Sequence, residues 1–197
     1  MKKLFAAAVL ISAFAVSAYA QSPIKLSLFD NIAWPKPEKT NVVIGLIDNN
    51  TPTVHGVDFN LFSARADEMY GLQIGLLYNR ATTMKGVHGA IFTRASDAVG
   101  GQLGFINLAD KVTGVQWGLL NISKTEMLGV QLGWINLAEK ATGLQYGIYN
   151  QAQTFTGLQL GIVNNINTID KGLQIGIVNL IRNNGWLRGM VLVNGRF

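Results

Sequence analysis

Large apolar residues alternate with small or polar ones along most of this chain, and the alternation restarts at a near-constant interval. GVQWGLLN at 114–121 is followed by GVQLGWIN at 129–136 and GLQYGIYN at 143–150. In the first of these, Val115, Trp117 and Leu119 alternate with Gln116 and Gly118. A period of two puts each set on its own face of an extended strand, whereas a helix would scatter both sets around its axis. Each stretch therefore predicts one strand, and the recurrence predicts a repeat architecture.

Units counted from their first residue begin at Asn41, Gly56, Gly71, Gly86, Gly100, Gly114, Gly129, Gly143, Gly157 and Gly172, a nearly even spacing. A segment at 24–30 reads as a degenerate first unit, and an imperfect last one starts near Gly189. The third slot runs Val43, Asp58, Gln73, His88, Gln102, Gln116, Gln131, Gln145, Gln159, Gln174. The fifth is mostly Gly, and the eighth settles to Asn107, Asn121, Asn136, Asn150, Asn164 and Asn179. Slots two, four and six carry apolar bulk whose size varies. Polar tails such as LADKVT at 108–113 and LAEKAT at 137–142 predict a turn after each strand.

One strand and one turn per unit fit two all-β architectures. In an antiparallel up-and-down meander, about twelve strands close into a barrel. In a β-solenoid, the 14–15-residue repeats stack in parallel and identical residues form ladders. A full solenoid turn of this length would measure about 46–50 Å, of which the alternating stretch uses about 26–30 Å. The few remaining residues suit a hairpin better than a return path, so the expectation is the barrel, with the solenoid as the alternative. The Gln/Gly face would then line a lumen or form a polar ladder, slots two, four and six would meet lipid, and the Asn column would face outward near strand ends. The chain ends on Phe197 after a strand-like segment at 186–197, a terminus like that of outer-membrane barrels.

The N-terminal segment changes the setting. Lys2 and Lys3, an apolar run and Ala18-Tyr19-Ala20 form a secretory signal peptide at 1–20, leaving a single repeat domain at 21–197 with repeats over roughly 41–188. The expected locations are the outer membrane and the cell surface. With Lys2 and Lys3 removed, fourteen basic residues face eleven acidic ones without any basic run, so no nucleic-acid partner is indicated. The chain has no cysteine, which excludes thiol catalysis and disulfides. Apolar residues make up 49% and charged ones only 14%. The two histidines, His55 and His88, lack a carboxylate cluster, so neither a metal nor a cofactor is expected. Asp58 and His88 share the third slot and could approach across two strands, but no nucleophile motif accompanies them and catalysis is not expected.

The tandem pattern G-[VL]-Q-x-G-x-x-N, as in GVQLGWINLAEKAT, resembles the units of bacterial surface repeat-containing proteins of the spirochaete type, over about 41–180. The resemblance implies an exported, surface-associated protein and carries no catalytic residues. Asp58, His88 and Thr93 depart from the pattern. The expected role is structural, or small-solute passage or binding, in contact with outer-membrane lipid. The alternative is a surface module that engages an unknown ligand or protein without being integral to the membrane.

Overall fold

The computed structural model describes residues 21–29 and 32–197; the expected signal peptide lies outside the described residues. Among the described residues eleven strands form one sheet: β1 Gln21–Phe29, β2 Ile32–Trp34, β3 Lys39–Gly45, β4 Asp48–Asn60, β5 Ser63–Gly75, β6 Tyr78–Gly89, β7 Phe92–Leu103, β8 Ile106–Trp117, β9 Leu120–Leu132, β10 Ile135–Asn183 and β11 Gly189–Arg196. Their order in the sheet is β11-β10-β9-β8-β7-β6-β5-β4-β3-β1-β2. Every pairing from β1/β3 to β9/β10 is parallel and stacks like slots on like, Gly114 on Gly129, Gln116 on Gln131 and Asn121 on Asn136. The chain is a β-solenoid. The antiparallel barrel is overturned, and the alternative holds.

The expected turn is where the barrel argument failed. The polar tails are strand too: Ala109 and Val112 in one coil, Ala138 and Ala141 in another, point into the core. A solenoid corner needs no loop. Slot one bends the chain at a single glycine, as at Gly114 with φ 137°, a conformation that other residues reach only with strain. A Cβ there would stand 2.1 Å from the carbonyl oxygen of Gly100 in the coil before. The other corners lie where two neighbouring residues both face outward, which a straight strand does not permit. One such corner falls at slots six and seven and another at Asp110-Lys111 and its equivalents. The extra residue of each longer unit is absorbed at a corner, which displaces Asn49 and Asn79 by one from slot eight while keeping them in the Asn column.

The interior is filled by side chains in four columns. Two are polar, the Gln and Asn columns. Two are apolar: one of small residues such as Ala81, Ala95 and Ala109, the other including Met69, Met84, Met127 and Phe155. Both ends of the stack carry antiparallel strands. β2 pairs with β1, and β11 pairs with the last coil of β10 through Gln174↔Asn194 and Leu180↔Gly189. The segment near Gly189 is therefore a cap and not a further repeat. Such caps interrupt the template that a bare parallel edge would offer to another chain.

Candidate interaction surface and the polar interior

The residues singled out by the sequence lie inside. Gln73, Gln102, Gln116, Gln131, Gln145, Gln159 and Gln174 are fully buried, as are Asn107, Asn121, Asn136, Asn150, Asn164 and Asn179. No lumen separates them, and the Asn column, expected on the outside, faces in. From Gln116 onward each glutamine amide donates to the side-chain oxygen of the glutamine one coil earlier: Gln116 to Gln102 at 2.8 Å, Gln131 to Gln116 at 2.7 Å, Gln145 to Gln131 at 2.7 Å. Gln159 and Gln174 extend the same ladder. The second amide hydrogen of several crosses the coil to a backbone carbonyl further along the chain, as from Gln131 to Leu137 O at 3.4 Å. That reach explains Gln here, because Asn is one methylene shorter.

The asparagine ladder runs the other way. Asn107 donates forward to Asn121 at 2.8 Å, Asn121 to Asn136 at 2.8 Å, and so on to Asn179. Each of these donors also reaches a slot-four carbonyl of the next coil, as Asn121 does to Leu132 O at 2.9 Å. Slot five must be glycine to admit this bond. A Cβ on Gly118 would lie 2.6 Å from Asn107 Nδ2 and 2.0 Å from Gly104 O. Buried amides satisfied at both hydrogens stabilise by about 0.5–1.5 kcal/mol per bond, whereas an orphaned one costs about 1–3 kcal/mol.

The early coils break both ladders. Asn60 takes slot five, and its side chain enters the space beside Gly45 and Asn49 while Ala64 stands in the Asn column. Asp58 accepts hydrogen bonds from Asn49, Asn60 and Gln73. Burial pushes its carboxyl up to about 6, although hydrogen bonds from Gln73 and Asn60, the Lys25 charge and Asn49 pull the other way. Lys25 is itself buried and donates to Asn50 O at 2.5 Å and to Thr51 Oγ1 at 2.9 Å. His88 sits between Gln73 and Gln102 with both ring nitrogens buried and unpaired, and burial pushes its imidazole down to about 4. Gln73 thus separates Asp58 from His88. Thr93 joins the pattern it departs from, donating to Asn107 Oδ1 at 2.7 Å. Among the described residues no cluster of His, Asp or Glu is arranged to hold a metal.

The outer surface is divided by chemistry. The corner at slots six and seven carries two large apolar residues in every coil from residue 46 to residue 178, among them Leu61/Phe62, Leu76/Leu77, Ile91/Phe92 and Trp134/Ile135. Leu28/Phe29 continue it into β1 through the backbone bond from Ile47 N to Leu28 O. Adjacent outward side chains diverge, so this corner is a convex ridge, about 43 Å long at about 4.8 Å per coil. Slots two and four extend the apolar surface along one flank, where Trp117 is 62% exposed. A groove of about 800 Å³ follows the glycine column from Ala90 to Tyr146, bounded by Trp117 and Leu132 on one side and Phe105 and Trp134 on the other. On the second flank Arg65, Arg80 and Arg94 stack in register, followed by Leu108 and Ile122. Acidic residues gather at the opposite corner, at Asp67, Glu68, Asp97, Asp110, Glu126 and Glu139, with Lys111, Lys124 and Lys140 beside them.

The ridge escapes strict alternation, which discards two consecutive apolar residues as noise. Leu120 and Ile122, apolar where alternation calls for neither, belong to the ridge and its flank. Phe197 follows β11, is 79% exposed and packs against Trp186 at 5.4 Å between ring centroids. It closes no barrel seam. No family model, curated protein or solved structure matches this chain.

Proposed function

We propose that this chain is an exported, surface-associated repeat protein that acts as a non-catalytic docking module. The apolar ridge carries the proposal. Monomers rarely present a contiguous apolar patch beyond about 300–600 Å². A band about 43 Å long and about 15 Å wide is on the order of 650 Å² before the groove flank is added. A surface of that size, repeated coil after coil, supports an interaction role better than chance exposure does. The signal-like N-terminal segment and the likeness of the tandem units to surface repeat proteins support export and a surface location. Solute passage was tied to an open barrel interior and is not part of this proposal; the coil interior holds the four side-chain columns.

The absence of cysteine makes the location testable. Lys124→Cys on the charged corner should react with a membrane-impermeant maleimide on intact producing cells. Labelling only after lysis would contradict the proposal.

A further inference from the structure

We propose that the ridge seats this protein in the surface of an anionic lipid membrane, with its long axis lying along the membrane plane. The inference rests on the docking role above and names the partner. Shape is the first argument. The exposed apolar residues diverge to both sides of a convex edge, as Trp134 and Ile135 do at 62% and 41% exposure. A second rigid copy packed on the flat flank of slots two and four would leave slot seven and its neighbours in water. Fluid acyl chains cover both flanks of a wedge at once.

Charge is the second argument. Arg65, Arg80 and Arg94 form a column beside the ridge, at the depth where headgroups would stand. Arg65 also bonds Asp48. Apart from Asp48 beside Arg65, the acidic residues named above, Asp67, Glu68, Asp97, Asp110, Glu126 and Glu139, lie at the far corner, turned away from the membrane in this orientation. This is the amphipathic division of an interfacial helix, spread over a solenoid: apolar residues enter the acyl boundary, cations meet anionic headgroups, and the remainder stays in water. The groove offers a third feature. Its floor, Ala90, Gly104, Gly118 and Gly133, runs along the solenoid axis for three coil steps, about 14 Å, and its walls are aliphatic and aromatic side chains without a charged group, a lining that suits a hydrocarbon chain lying along it.

Flotation with vesicles tests the proposal, using the protein as the producing cell processes it. One vesicle is pure phosphatidylcholine, and the other contains about one third phosphatidylglycerol. The expected result is co-flotation with the anionic vesicles. Phe92→Glu with Trp134→Glu should lower partitioning at least about tenfold with the circular dichroism spectrum unchanged. Arg80→Gln with Arg94→Gln should weaken binding to the anionic vesicles only. Lys111→Gln with Lys140→Gln, on the far corner, should change it little. Equal flotation of parent and ridge variant would overturn the proposal. So would a dimer in sedimentation that the ridge variant dissociates without any vesicle binding, a result that would leave the docking role standing with a second copy as occupant. Loss of surface labelling at position 124 would instead overturn the docking role at the cell surface.

Discussion

Two glycines of similar appearance have different reasons to be glycine. Gly118 lies where a side chain would meet Gly104 O at 2.0 Å and Asn107 Nδ2 at 2.6 Å, whereas nothing stands within 4 Å of a Cβ on Gly89. Backbone and a bonded buried amide have little room to yield. Gly118→Ala should therefore cost about 2–4 kcal/mol and Gly89→Ala no more than about 0.5 kcal/mol, read as shifts in denaturant midpoint. Equal effects would mean that slot five is glycine for some reason other than ladder packing. The sequence marked slot five as requiring a small residue, and that requirement is real. Its cause was not legible, since the constraint comes from the preceding coil, a full repeat away in the chain and one strand away in space.

A column behaves as a unit, and its weakest member is His88. Gln73 Oε1 is unpaired on one side of it, and neither His88 nitrogen has a partner. His88→Gln would let position 88 donate to Gln73 and accept from Gln102, joining the two parts of the ladder. It should stabilise the protein by about 1–3 kcal/mol at neutral pH. The same column sets an acid response. His88, at about 4 when folded and 6.5 ordinarily, contributes stability that is lost as pH falls from 6.5 toward 4. Asp58, raised to about 6 from 3.8, contributes stability that is present at low pH and lost as pH rises from 3.8 to 6. The two contributions oppose each other over nearly the same range. Relative to the parent, His88→Gln should lose stability as pH rises from 4 to 6, and Asp58→Asn should gain it. Parallel shifts in both variants would contradict this assignment. The polar column was plain in the sequence; its filled interior was not, because alternation reports which residues share a face and is silent on what that face meets.

For the whole molecule, the sequence carried the all-β class, the repeat boundaries and the outward direction of Trp117 and Trp134. It misdirected the closure. The tails around Ala109 and Ala138 looked like turns because alanine adds little to a hydrophobic pattern, yet a narrow coil interior requires small residues there. Once those tails are strand, each unit has enough extended chain to circle the core, and every coil points the same way. That shared direction places all apolar corners on one ridge and all charged corners on another, so the docking role depends on it. Positions 97, 111, 126 and 140 lie in one exposed column of successive coils. Spin labels at Asp97→Cys and Lys140→Cys, three coils apart, measure it most directly by pulsed electron resonance. The parallel stack predicts a backbone separation of about 15 Å, three strand spacings. An antiparallel meander, in which an odd number of steps carries the second label to the opposite rim, would give about 30 Å or more, and a distance of that size would contradict the account.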